Sequence, residues 1–238
     1  MISINTNYGG IFAAKASSQA TLRVDQAMER LSTGKRINHA RDDSAGQAIA
    51  TRLAAEIEGL AMASRNVADG QSLVDTAESA LVETHALLLR MREVSVQAAN
   101  GTLSDADNTA LDAEFQQLVA EIDRISDNTS WAGTKLLNGD STGNANTSAT
   151  FAFQAGVNNT TADTISVDIS NADAATLGIF DDSTTPGTND ITLTNATNAG
   201  AAIVAVDAAI AAVSTERGKL GAVSNRMSST MANLDQIT

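Results

Sequence analysis

The sequence predicts a mainly α protein, a long antiparallel coiled-coil rod of helices with a small β-hairpin region, and three observations carry that prediction. Leu53, Leu60, Val67, Val74, Leu81 and Leu88 recur at every seventh position, and Val206, Val213, Leu220, Met227 and Leu234 do the same near the other end. A sustained seven-residue repeat keeps one apolar seam facing a partner helix, so the segments on either side of residues 136–205 should meet. Only 3% of the 238 residues are aromatic although 43% are hydrophobic, which suits thin helical layers packed with Leu, Ile, Val and close-set Ala rather than a bulky globular core. Strict alternation is confined to Thr150–Gln154 and Thr164–Ile169, which predicts one hairpin closed by residues 156–163. A rod of this kind offers contacts along its length and encloses no substrate.

Taken in order, a first helix is predicted over about residues 7–33, with Ala20, Val24, Ala27, Met28 and Leu31 on a narrow face and Gly34 just past its C-terminus. So weak a face should be ordered mainly by neighbours. Residues 38–46 are polar and small, and Asp42, Asp43 or Ser44 can cap the next helix, expected over residues 44–99. The positions three after its seam are mostly small (Ala63, Gly70, Ala77, Thr84, Met91, Ala98), which allows a partner helix close approach. Gly59 and Gly70 each weaken that helix by about 1 kcal/mol relative to Ala, so packing must hold it. Ser104 to Asp107 offer N-caps for a third helix with Leu111, Phe115, Leu118, Ile122 and Ile125 on one stripe. Residues 128–148 read as a loop, and residues 181–200 as an exposed turn-rich segment holding one short strand at Ile191–Leu193.

Charge and composition exclude several functions. The net charge of −13 is uneven, with no Lys or Arg between residues 136 and 216, so nucleic-acid binding is disfavoured even though the first 65 residues are locally basic. No cysteine is present, which excludes disulfides and thiolate metal sites. The first ten residues lack the basic start and apolar run of a secretory signal peptide, and no stretch reads as long and apolar enough to span a membrane. Catalysis finds little material: His39 and His85 are the only histidines, there is no zinc-protease motif, and Asp42–Asp43 is explained by capping. Neither enzyme, metal site nor cofactor is expected.

Glu29-Arg30-Leu31-Ser32-Thr33-Gly34-Lys35-Arg36-Ile37-Asn38, followed by Ala40-Arg41-Asp42-Asp43-Ser44-Ala45-Gly46-Gln47-Ala48-Ile49-Ala50, resembles the N-terminal core of bacterial flagellins. The resemblance continues through Ala63-Ser64-Arg65-Asn66, Arg90-Met91-Arg92-Glu93, Gln97-Ala98-Ala99-Asn100, Glu121-Ile122-Asp123-Arg124-Ile125, Lys135-Leu136-Leu137-Asn138-Gly139 and Leu220-Gly221-Ala222-Val223-Ser224-Asn225-Arg226. It implies an extracellular subunit of the flagellar filament, self-assembling for motility and exported unfolded through the flagellar secretion apparatus. The implied partners are copies of itself and other flagellins, the export machinery, the cap and hook-associated proteins, and an innate immune receptor. Neither nucleic acid nor membrane insertion is expected. It divides the chain into an inner-tube helix and spoke (1–43), rod helices (44–139), a hairpin with variable loops (140–200) and a returning rod helix (201–238).

In the family an apolar C-terminal helix pairs with the first helix, and this sequence is expected to lack it after Leu234. The patch that the vertebrate flagellin receptor reads in this family corresponds to Arg90, Val94 and Glu114, with Leu89 in place of a usual polar residue. The Ser/Thr-rich residues 141–200 are where sugars would be carried, exposed polar loops being the simpler reading. Two rival functions stand beside the filament subunit: a hook-filament junction protein of the same superfamily, and a surface adhesin or carbohydrate-binding protein using the acidic middle segment.

Overall fold

The computed structural model describes residues 7–139, 149–180 and 191–237 and falls into two compact units, residues 1–58 and 59–238. In the first unit, helix α1 spans Tyr8–Thr33. Asn7 caps its start by accepting the Gly10 amide at 3.0 Å, and Gly34 ends it in the left-handed region at φ 67°. No residue of α1 is buried, in keeping with its narrow face. After it, the Asp42 carboxylate gathers the chain by accepting the backbone N–H groups of Asn38 (3.3 Å) and His39 (3.1 Å) and the Gln26 amide (2.7 Å). Of the three candidate caps, Asp43 does the capping, accepting the Gly46 amide at 2.8 Å, and helix α2 runs from Ser44 to Ala98.

The second unit is built on α2 and on helix α4, Ala196–Ile237, which lie antiparallel. Their polar cross-links fix the register. Ser64 donates to Asp235 at 3.4 Å, Gln71 to Ser228 at 3.3 Å, and Arg92 pairs with Asp207 at 2.6 Å, so each step along α2 is matched by an equal step back along α4. Arg217 adds a longer pair with Glu78 at 3.6 Å. Between these links the seam is closed: Leu60, Val67, Val74, Leu81 and Leu88 face Val206, Val213, Leu220 and Met227, none more than 9% exposed. The positions three after the α2 seam, Ala63, Gly70, Ala77, Thr84, Met91 and Ala98, are buried beside them. Thr84 and Ser95 stay satisfied there by donating to the Ala80 and Met91 carbonyls one turn back, at 3.1 and 2.7 Å.

One seam position departs from the expectation. Leu53 is 47% exposed, and its neighbours Ile49 and Ile57 are exposed too, because within residues 1–58 no second helix covers that stretch of α2. The heptad pattern marks where a partner is wanted and cannot by itself supply one.

Helix α3, Asp105–Asn128, starts at a capping box in which Ser104 and Asp107 exchange side-chain and backbone bonds. It buries Asn108, Phe115, Val119, Ile122 and Ser126, a stripe rotated slightly from the expected one, with Leu111 and Leu118 at its edge. Strands β1 (Ser130–Trp131) and β2 (Thr134–Lys135) then form a minimal hairpin where the sequence predicts a loop. Two-residue arms show no alternation, and the turn uses Ala132 (φ 48°) with Gly133 (φ 86°) instead of a typical Asn-Gly pair. The expected hairpin pairs β3 (Ala149–Gln154) with β4 (Thr164–Ile169) antiparallel, Phe151 opposite Val167, and buries Ile165, Val167 and Ile169.

Two further expectations are corrected. Ile191–Leu193 forms no strand, because its backbone groups are taken by α3: Asp112 accepts the Leu193 amide at 2.7 Å and Gln116 donates to the Ile191 carbonyl at 3.1 Å. The turn-rich reading of residues 181–200 lies outside the described residues for 181–190. Its last part is helix, since Asn195 accepts the Asn198 amide at 2.9 Å and α4 begins at Ala196. The helix also overturns the statement that no stretch is apolar enough to cross a membrane: an 18-residue window of α4 reaches a mean hydropathy of 1.6 and qualifies by length and composition. Alanine carries much of that value, and Val206, Val213 and Leu220 are spent on the seam with α2.

Candidate assembly surface

Two turns before its end, α2 presents a face shared with α3. Arg90 reaches across to Glu114, its guanidinium donating twice to one carboxylate oxygen at 2.7 and 3.0 Å, and also bonds Glu93 at 3.0 Å. Hydrogen bonding to Glu114 and then Glu93 holds the Arg90 guanidinium even more firmly protonated than usual. The fork geometry fixes Arg90 over the α2–α3 joint. So Arg90 and Glu114, far apart in sequence, are brought together on the surface. Val94 is not: at 1% exposure it lies in the core beneath them, since it falls on the buried side of α2 with Met91 and Ala98. In its place Leu89, 45% exposed, stands beside Arg90 on the outer face, in line with Val82 and Val96 at seven-residue spacing. The outer face of α2 therefore carries a second, uncovered apolar stripe parallel to the buried seam.

Other groups with chemical capability are engaged structurally. His39 pairs with Glu29 at 2.8 Å, and His85 sits half-buried on α2. Among the described residues no cluster of three or more His, Asp or Glu is placed to hold a metal ion. A cavity of about 390 Å³ lies between residues 170–177 and α4, floored by Leu81, Leu177 and Val213. At its edge Glu216, only 8% exposed at its side chain, accepts the Ser170 amide (2.9 Å), the Ser170 hydroxyl (3.0 Å) and the Lys219 ammonium (3.0 Å). With Asp123, which accepts the Ala174 amide at 2.8 Å, and Asp112, which accepts that of Leu193, three helix carboxylates hold the backbone at residues 170, 174 and 193. Sequence reading missed all three, because a carboxylate on a helix looks the same whether it faces water or a loop.

A closed heptad seam and a second exposed apolar stripe define a helical protein made to pack against other helices. Residues 4–142 match the bacterial flagellin N-terminal helical region and residues 203–238 the bacterial flagellin C-terminal helical region. The chain is 45% identical over 210 residues to a flagellin of Halalkalibacterium halodurans, covering 88% of this chain and 71% of that one. It is 40% identical over 247 residues to a flagellin of Bacillus subtilis, covering 97% and 81%. Among solved structures, Bacillus cereus flagellin superposes with a TM-score of 0.56 at 30% identity over 71% of this chain and 88% of that one. A putative flagellar hook-associated protein from Vibrio parahaemolyticus, at 16% identity and a TM-score of 0.64, shares the fold. The chain belongs to the bacterial flagellin family, and it is a structural subunit of the extracellular flagellar filament that polymerises with copies of itself.

Proposed function

We propose that the outer face of α2 around Leu89 and Arg90 is the surface through which copies of this chain pack in the filament, and that the protein performs no catalysis. The observation that carries this reading is the Val82, Leu89 and Val96 stripe, between 41 and 49% exposed beside a seam already filled by α4. An exposed apolar row rimmed by charge is what a packed neighbour covers, and contacts that do not close on themselves build a fibre. Within that scheme residues 1–43 form the inner-tube helix and spoke, 44–139 and 201–238 the rod, and 140–200 the variable exterior. Leu53 and its exposed neighbours are seam positions that await other copies. Family membership supports unfolded export through the flagellar secretion apparatus, without a cleaved signal peptide, and capture by cap and hook-associated proteins. Electron microscopy of polymerised protein separates the alternatives. Long fibres from wild type, and their loss in Leu89→Asp with the helical content unchanged, support the reading; short rings, or normal fibres from the variant, overturn it.

The same face supports recognition by an innate immune receptor through the Arg90–Glu114 pair, with Val94 acting from below as a packing residue. Arg90→Ala should reduce receptor affinity, and unchanged binding would refute the patch.

A further inference from the structure

Asn-Gly steps occur in the chain at Asn100-Gly101 and at Asn138-Gly139. At such a step the backbone nitrogen of the glycine can attack the asparagine carboxamide, because glycine has no Cβ to obstruct the approach. The two steps are held very differently. Asn100 leaves the end of α2 two residues after Ala98, and both Asn100 and Gly101 are exposed. The Asn100 N–H donates to the Gln97 carbonyl and the Asn100 carbonyl accepts the Leu103 N–H, each at 3.2 Å, so the turn itself is defined. Within it, the Asn100 carboxamide oxygen accepts the Thr102 N–H at 3.3 Å, which folds the side chain over its own following backbone and draws electron density away from Cγ. The Gly101 N–H between them donates to no group among the described residues. Asn138, by contrast, is half-buried and Gly139 is buried, and the preceding Leu137 carbonyl is pinned by the Ala172 N–H at 2.9 Å and the Ser126 hydroxyl at 2.7 Å.

We propose that Asn100 is a site of spontaneous covalent modification. The Gly101 nitrogen loses its proton and bonds to Asn100 Cγ, the bond from Cγ to the side-chain nitrogen breaks, and ammonia leaves a succinimide ring. Water then opens the ring at one of its two carbonyls, giving aspartate or isoaspartate, and no oxidant, metal or enzyme enters the balance. Either product puts a carboxylate beside the negative end of the α2 dipole, where the last turn holds no basic residue to offset it. The isoaspartate product also adds a carbon to the main chain in the turn between α2 and α3. The α2–α3 connection thereby records the age of each subunit in a charge and a lengthened backbone.

The full-length unpolymerised chain, incubated in water enriched in heavy oxygen and sampled over time by peptide mass spectrometry, tests the proposal. The peptide holding Asn100 should take up heavy oxygen and resolve into two products, faster as pH rises because the attacking amide must be deprotonated. The peptide holding Asn138 should lag by about ten-fold or more while the protein is folded, since its segment must open first, and the lag should vanish in urea. Gly101→Ala, whose added methyl meets nothing within 4 Å, should slow the reaction at Asn100 severalfold with the fold intact. Absence of product at Asn100, aspartate without isoaspartate, an Asn138 rate equal to that of Asn100 in the folded chain, or a lag that persists in urea overturns the proposal.

Discussion

Gly70→Ala offers a sharp test of the packing between α2 and its neighbours. A methyl placed on Gly70 would lie 3.0 Å from the Met227 Cε and 3.0 and 3.1 Å from the Phe153 ring. The methionine end can swing away, but the ring belongs to the β3–β4 hairpin and must shift by a few tenths of an ångström with its strand. In mid-helix, alanine is better than glycine by about 1 kcal/mol, whereas overpacking a closed core costs about 2 kcal/mol. The substitution should therefore destabilise by about 1 kcal/mol net. Gly218→Ala is the control, because nothing lies within 4 Å of its added methyl and only the helix gain of about 1 kcal/mol remains. For a chain of this size the two variants should melt about 4–8 °C apart, Gly218→Ala above wild type and Gly70→Ala below it, in thermal unfolding followed by circular dichroism. Equal stabilisation by both would show that α2 and the hairpin are not pressed together at Gly70.

Leu81→Ala, at 1% exposure, should cost about 2–5 kcal/mol, while Leu53→Ala at 47% exposure should change the unpolymerised chain by less than about 1 kcal/mol, both read by urea unfolding. Glu216→Gln keeps the shape but weakens the grip on Ser170 and Lys219, so amide exchange at Ser170 should quicken about ten-fold or more while that at Val206 stays slow; equal rates in variant and wild type would contradict the anchoring role. The Ser104 hydroxyl and backbone N–H hold the Asp107 carboxyl below its ordinary value of 3.8. A carboxyl depressed in the folded state contributes stability that is complete above 3.8 and is lost as pH falls through its lower folded value. Asp107→Asn should accordingly flatten the acid side of the stability-versus-pH curve, and an unchanged slope below pH 3.8 would exclude Asp107 as a source of it. Asp42, held down by the His39 amide, and Glu121, held down by Arg124, add to the same acid sensitivity with the same sign.

The helices were legible because their determinants are local or periodic. Asn7 and Gly34 bracket α1, the Ser104–Asp107 box opens α3, and the seven-residue rows from Leu60 to Leu88 and Val206 to Leu234 mark the buried side of α2 and α4. What escaped depends on partners distant in sequence. Ile191–Leu193 has the composition of a strand, yet Asp112 and Gln116 on α3 satisfy its backbone first. Leu53 and Leu60 are indistinguishable in the repeat, yet Leu53 is exposed and Leu60 is buried. The Arg90–Glu114 pair was readable as two positions from family resemblance, and its closure at 2.7 Å needed the α2–α3 packing. Val94, one turn from Arg90, illustrates the limit of such a transfer: a matched position need not be a surface position.

A seam this regular has an ambiguity built into it. Sliding α4 by one heptad would set Val213 where Val206 now packs and Leu220 where Val213 does, at little hydrophobic cost. The same slip would part Arg92 from Asp207, Gln71 from Ser228 and Ser64 from Asp235 together, and pull Glu216 away from Ser170. The three exposed α2–α4 links add little stability individually, but together with buried Glu216 they act as an index mark that selects one alignment among near-equals.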